Sequence, residues 1–275
     1  MNSLPTNEEL TELARSNAQK YQDAAPFPSI AFTDFFDEDM LDRVLSEFPD
    51  LSAEDSRKYD NKREVKLQGK GERFFGDETK KLMHFLNSEV FLNFLQILTG
   101  IEEPLIGDPY FIGGGQHETK KGGFLKVHAD FNKHKTLGLD RRINVLVYLN
   151  KDWKEEYGGH FELWDRNMEK CELKVLPAFN TMAIFSTTDF SYHGLPDPLN
   201  CPEDMSRKSL ALYYYSNGRP ASEIMPGNQV HGTLFKARKD DANDKAALNV
   251  FNDPKGVLRE FIPPILLRLI RKPKA

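Results

Sequence analysis

Cysteine is scarce in this 275-residue chain: Cys171 and Cys201 are the only two, and neither belongs to a Cys-x-x-Cys pair. Two isolated thiols cannot close a thiolate-rich structural zinc site or supply a disulfide framework. They read as free thiols in a reducing compartment. Long apolar runs are missing as well. None approaches the ~18 residues that a membrane span requires, and MNSLPTNEELTELARSNAQKY at the start is polar where a secretory signal would be apolar. Positive charge is not in excess. Lys and Arg number 37 against 42 Asp and Glu, mixed along the chain, which argues against general nucleic-acid binding. No Lys-Ser/Thr pair follows the glycines of IGGGQ (112–116), so that stretch reads as a flexible turn and not as a phosphate loop. The expectation is a cytoplasmic protein with neither a membrane span nor a nucleic-acid partner.

What is present suffices for a large core. Hydrophobic residues make up 39% of the chain, so no metal or disulfide is needed merely to fold it. Residues 1–104 read as a mainly helical support region of the same domain. Helical composition runs over 7–22. PFPSIAFTDFF (26–36) has the character of a strand. Met40, Leu41, Val44, Leu45 and Phe48 share one face of a helix over 37–48. The charged stretch 51–74 reads as a mobile loop. Residues 78–100 read as helix, broken near Asn87–Ser88 and stopped by Gly100. Residues 105–216 change character: LIGDPYFI, GFLKVHADF, RINVLVYLN, GHFELWD, CELKVLP, NTMAIFST, FSYHGL and SLALYYYS are short β-rich runs separated by turn residues. Runs of this spacing with no helices between them predict a mainly β fold, a double-stranded β-helix (jelly roll) with α-helices flanking it. Residues 217–275 form a C-terminal extension that closes with a basic apolar helix. Pro263–Pro264 interrupts any long amphipathic face there, so packing against the domain is the expectation.

The chemistry-bearing residues lie in the β-rich part. On a strand, His128 and Asp130 point to the same side and can offer two adjacent metal ligands. Alone the pair means little, since ~0.4 such matches arise by chance at ordinary composition, and His160 with Glu162 repeats the form. His193, in a later β-run, supplies a third ligand. Two imidazoles and one carboxylate on one face of a metal leave positions open for a co-substrate and O₂, the arrangement of non-heme Fe(II) oxygenases. Arg207, with Ser209 two residues on, offers a fork of donors suited to the far carboxylate of an oxo-acid. On RRINVLVYLN, period-two reading puts Arg142, Asn144, Leu146 and Tyr148 on a pocket-facing side, with Ile143, Val145, Val147 and Leu149 on the core side.

As a set these residues resemble the 2-oxoglutarate- and Fe(II)-dependent dioxygenases, on their prolyl 4-hydroxylase branch. The resemblance covers 105–216 and is carried by HADF, VLVYLNKDWKEEYGGHFELW, FSYHG and RKSLALYYY. It is similar to bacterial members also in PFPSIAFTDFFDEDMLDRVLSEFP. The resemblance implies His128, Asp130 and His193 as iron ligands. It implies Arg207 as the partner of 2-oxoglutarate, with Tyr148 and Ser209 hydrogen-bonding beside it. One departure is the interval from His193 to Arg207, longer than usual on this branch. The extra PLNCPED is expected at the pocket mouth, and Lys208 becomes an alternative anchor. The implied activity is hydroxylation of an aliphatic carbon of an amino acid, a prolyl-like peptidyl residue or a small metabolite, with O₂ consumed, succinate and CO₂ released, and ascorbate as a candidate reductant. The alternative is a non-catalytic jelly-roll module that binds or senses the metal and 2-oxoglutarate. Candidates for meeting the substrate are Asn132, Arg142, Asn144 and Trp164, with Lys133 and His134 beside Asn132 at the pocket mouth.

Overall fold

A computed structural model of the chain describes residues 4–53, 55–227, 230–239 and 241. The basic C-terminal helix expected from the sequence lies outside them. Four α-helices lie in the N-terminal part, interleaved with its strands: α1 (Asn7–Gln22), α2 (Glu38–Ser46), α3 (Asp77–Leu86) and α4 (Glu89–Thr99). Thr6 caps α1 in a reciprocal box with Glu9. Asn87 and Ser88 separate α3 from α4, and Gly100, at φ +67°, ends α4 in the left-handed conformation.

Twelve strands join in one sheet. They are β1 (Ser29–Phe32), β2 (Arg57–Asp60), β3 (Glu64–Gln68), β4 (Gly115–Lys120), β5 (Phe124–Ala129), β6 (Asp140–Tyr148), β7 (Phe161–Trp164), β8 (Cys171–Val175), β9 (Met182–Ser186), β10 (His193–Leu195), β11 (Ser206–Ser216) and β12 (Leu234–Phe235). The order is β1-β9-β6-β11-β4-β3-β5-β10-β7-β8, with β2 on β3 and β12 on β5. All pairings are antiparallel. The sheet curls into a nearly closed jelly roll, with β3 bridging its two halves.

Alternation divides the faces. Ile143, Val145 and Val147 of β6, Met182 and Ile184 of β9, and Leu210, Leu212 and Tyr214 of β11 are buried under the helices, against Phe91, Phe94, Leu95 and Leu98 of α4. The Tyr214 hydroxyl donates to the carbonyl of Leu86 at 2.7 Å, tying the sheet to α3. The opposite faces of the same strands look into the barrel.

Two expectations are corrected. The charged stretch 51–74 contains the β2–β3 hairpin, because β3 finds backbone partners on both β4 and β5 and ladder pairing overrides polar composition. LIGDPYFI is not a strand: one bridge, Ile106 with Tyr215, is all it makes. Both carboxylate oxygens of Asp108 accept from backbone, at Tyr110 N (2.8 Å) and Ile112 N (2.7 Å), and this local turn competes with a ladder. The strand starts later, inside the glycine run, at Gly115.

Phe94 is 1% exposed and packs on the rings of Phe91, Phe35 and Phe32. Phe94→Ala is expected to lower unfolding stability by about 3–5 kcal/mol through lost burial and a cavity, measured by urea denaturation.

Candidate active site

β5 and β10 run side by side with His193 directly opposite His128, and their ring centroids are 4.5 Å apart. Asp130 follows the end of β5. His128 Nε2 lies 3.6 Å from one of its oxygens, and His193 Nε2 lies 3.4 Å from the other. One ligand atom from each of the three residues lies within 4.8 Å of the other two. Both rings are held the same way. Nδ1 of His128 donates to the carbonyl of Lys126 at 2.8 Å, and Nδ1 of His193 donates to that of Ser191 at 2.9 Å. A backbone carbonyl can only accept, so each Nδ1 carries the proton and each Nε2 presents a lone pair. Three donors of this type, converging and all at least half-buried, suit a divalent transition metal.

The carboxylate is positioned from the next strand. Asn144 Nδ2 donates to Asp130 Oδ2 at 2.8 Å and Arg141 Nη2 donates to the same oxygen at 3.0 Å. Burial would raise the Asp130 pKa. The Arg141 guanidinium, His193 and His128 outweigh it and hold the carboxyl well below the usual range. Arg141 was not among the residues singled out from the sequence. Its neighbour Arg142 was, and the structure corrects that. Register on β11 skips from Ile143 opposite Tyr214 to Arg141 opposite Tyr215, so Arg142 is the extra residue of a β-bulge. The bulge brings Arg141 onto the inner face with Asn144. Arg142 turns away to Glu103 (2.7 Å), Ser216 (2.9 Å) and Glu223 (3.3 Å).

Two cavities meet at His128 and Asp130. The inner one, about 90 Å³, is lined by His193, Asn144, Arg207 and Ser209, together with His117 and Thr119 of β4. Arg207 is 6% exposed and, among the described residues, has no carboxylate partner. Its Nε donates to the carbonyl of Gly159 at 2.7 Å and its Nη2 to the Tyr148 hydroxyl at 3.2 Å. A guanidinium held out of water by neutral acceptors alone is a receptor for an anion. Gly159 has φ +70°, and a Cβ on it would lie 2.4 Å from Leu199 Cδ2 and 3.0 Å from Arg207 Cδ, so glycine is what lets this carbonyl reach the guanidinium. Tyr148 is fully buried, and the Arg207 guanidinium carbon lies over its ring, 4.8 Å from the centroid. Lys208 faces away, toward Ser206 and the Phe48 ring. His117 and Thr119 pair with Ser209 and Arg207 across the β4–β11 ladder; alternation along GQHETK would have placed them together had that stretch been read as a strand.

The outer cavity, about 330 Å³, shares Lys66, Leu125, His128, Asp130 and Tyr213 with the inner one and is closed by the β2–β3 hairpin and by Thr233 and Phe235. β12 lies along β5, with Phe235 opposite His128 and the two ring centroids 5.5 Å apart. No periodicity in the sequence marks this two-residue strand. Its approach is anchored by His231, whose Nε2 donates to buried Asp189 at 2.7 Å.

The remaining substrate candidates do not reach either cavity wall. Asn132 is 3% exposed and accepts from His231 N at 3.0 Å, so it clamps the segment before β12. Lys133 pairs with Asp140. His134 is buried against Asp108 and the Tyr215 ring. Trp164 packs with Val127, Ala129 and Tyr192 on the far side of β5, and its Nε1 donates to Glu162 at 3.0 Å. PLNCPED is not at the mouth either: Leu199 and Cys201 are buried with Trp153 and Leu195. His160 and Glu162 part company, the one to Glu155 and the other to Lys174.

Residues 115–215 match the family model described as the 2OG-Fe(II) oxygenase superfamily. This segment is similar to that superfamily. Its co-substrate is 2-oxoglutarate and its metal Fe(II), and the donor set and the unpaired Arg207 of the inner cavity fit both. Similar solved folds include a Pseudomonas putida prolyl-4-hydroxylase at 14% identity and TM-score 0.52, covering 74% of this chain and 100% of that one. A Trichoplax adhaerens prolyl hydroxylase, solved with a hypoxia-inducible-factor peptide, reaches TM-score 0.56 at 17% identity, covering 76% and 91%. A prolyl 4-hydroxylase from Phytophthora capsici gives TM-score 0.52 at 17% identity over 94% of this chain and 77% of its own. These likenesses establish a shared oxygenase fold. No helix among the described residues is long and apolar enough to cross a membrane.

Burial pushes the His193 imidazole down to about 3, with Asp130 opposing it. The unfolded chain binds a proton on this residue near pH ~6.5, whereas the folded, metal-stripped oxygenase does not. This contribution to stability is therefore complete above that pH and lost as pH falls, by up to ~1.4 kcal/mol per unit. Urea unfolding of the stripped protein at about pH 7.5 and about pH 5.5 is expected to show the loss, and His193→Gln to reduce it.

Proposed function

We propose that the protein is a Fe(II)- and 2-oxoglutarate-dependent hydroxylase of an aliphatic carbon, consuming O₂ and releasing succinate and CO₂. The observation that carries this reading is the conjunction, in one inner cavity, of a two-histidine, one-carboxylate cluster and a buried guanidinium without a countercharge. His128 and His193 would hold the metal through Nε2 and Asp130 through a carboxylate oxygen, all from one side, leaving the other side open. Arg207 would take the distal carboxylate of 2-oxoglutarate, with the Ser209 and Tyr148 hydroxyls beside it.

Bound iron and 2-oxoglutarate together supply the activation of O₂ and the delivery of one oxygen atom to a C–H bond. The chain supplies the setting. The carbonyls of Lys126 and Ser191 fix both imidazole tautomers. Arg141 and Asn144 keep Asp130 ionised and turned toward the histidines. Phe161, Phe185 and Leu195 line the inner cavity with apolar surface and exclude water from it. A carboxylate at position 130 favours hydroxylation over halogenation, because it fills the place that a chloride would need. The substrate classes in view are an amino acid, a prolyl-like peptidyl residue and a small metabolite. The prolyl hydroxylases of similar fold favour the second, while the compact outer cavity favours the others. Ascorbate fits as reductant. Two free thiols, one buried, fit a cytoplasmic setting.

Anaerobic addition of Fe(II) and 2-oxoglutarate is expected to produce a visible charge-transfer absorption. It should vanish in His193→Ala, and in Arg207→Gln it should require about tenfold or more 2-oxoglutarate. Absence of the band in the unaltered protein sinks the reading. A band without succinate release or O₂ uptake across a broad substrate screen would leave a binding module in its place.

A further inference from the structure

The outer cavity carries charge that the proposed chemistry does not use. Its wall holds four cations, Arg57, Lys66, Lys135 and Arg141, against two carboxylates, Glu64 and Asp130. Both carboxylates are already engaged. Glu64 pairs with Lys66 at 3.1 Å, and Asp130 accepts from Arg141 and Asn144 while facing both imidazoles. Among the described residues, Arg57 and Lys135 have no carboxylate partner; the polar neighbour of Arg57 is the Tyr59 hydroxyl, 3.2 Å from Nη1. Both are exposed and come from different elements, Arg57 from the β2–β3 hairpin and Lys135 from the loop between β5 and β6.

Arg141 is the most informative of the four. It is 1% exposed, with its guanidinium carbon 3.5 Å from the centroid of the Tyr213 ring and 4.3 Å from that of Phe131. Nε is spent on Asn144 and Nη2 on Asp130. Nη1 is buried and, among the described residues, has no hydrogen-bond partner. A buried donor left unsatisfied is costly, and one fixed between two rings cannot turn away to find an acceptor. The oxo-acid co-substrate does not answer it, because that anion has its own cation: Arg207 lines the inner cavity and not the outer one.

We propose that the substrate is a small carboxylic acid, its carboxylate received by Nη1 of Arg141 and by the rim cations Arg57 and Lys135. This rests on the hydroxylase reading and narrows its substrate. Arg57 and Lys135 are solvent-exposed and do not themselves demand a countercharge, but they add positive charge beside Arg141, whose buried Nη1 a compact acid would satisfy. The cavity, at about 330 Å³, lies at the small end of ligand sites.

The test uses protein loaded with Zn(II) in place of Fe(II) and saturated with 2-oxoglutarate. Binding of a panel of aliphatic carboxylic and amino acids, each beside its primary amide, is read by saturation-transfer NMR. The expected result is that at least one acid binds and that its amide binds about tenfold or more weakly, the weight of one hydrogen bond to a charged group. In the double variant Arg57→Gln, Lys135→Gln that difference should collapse. The inference is overturned if no acid binds, if amides bind as well as acids, or if the double variant keeps the preference. The Fe(II)–2-oxoglutarate absorption, recorded separately for both proteins, keeps the two readings apart. Its presence with no acid preference sinks the carboxylate inference and leaves the hydroxylase standing. Its absence from the unaltered protein sinks both.

Discussion

The site is organised around the carboxylate of Asp130. One of its oxygens accepts from Arg141 and Asn144, and its two oxygens face the Nε2 atoms of His128 and His193. Three strands must be in register for this to hold: β5 brings His128 and the approach to Asp130, β10 brings His193 opposite it, and β6 brings the two donors. A buried carboxylate is expensive unless charge and hydrogen bonds answer it. The pairing of these strands is therefore tied to the polar cluster as firmly as to the apolar core behind it. The core does its part from the other face, where Ile143, Val145 and Val147 seat β6 on the helices while Asn144 and Leu146 look inward.

How much of this could be read beforehand depends on where the backbone keeps its period. The jelly roll, the four helices and the apolar face of β6 follow from regular alternation and were legible in the sequence. So was the grouping of His128, Asp130, His193 and Arg207, although their spacing suggested it only in combination. Legibility fails at the bulges. On β6 the extra residue exchanges Arg142 for Arg141, which strict alternation assigns to the wrong face. On β5 a second irregularity, where Leu125 and His128 meet Leu195 and His193, brings two residues three apart onto one surface. Nothing in the residue types announces either shift, since both arise from ladder geometry. Asn132 and His134 are a different case. They are polar residues beside the ligands, but buried partners, His231 and Asp108, claim them.

The two cavities divide the labour of the molecule. The inner one is walled by central strands and by residues whose neighbours leave them little freedom: Arg207 between Gly159 and Tyr148, and the imidazoles on their own carbonyls. The outer one is bordered by β3, by β2, which among the described residues pairs only with β3, and by the two-residue β12, which pairs only with β5.

β12 and the β2–β3 hairpin complete the outer cavity from beyond the matched segment. Both border the outer cavity, yet one follows and the other precedes residues 115–215, the stretch that bears the family's pattern. The outer wall is thus shared between the two: Arg57, Lys66 and Phe235 come from the flanks, while Lys135, Arg141 and Tyr213 come from within residues 115–215. A change in the flanks reshapes the space in front of His128 and Asp130 while every residue of the matched segment stays as it is.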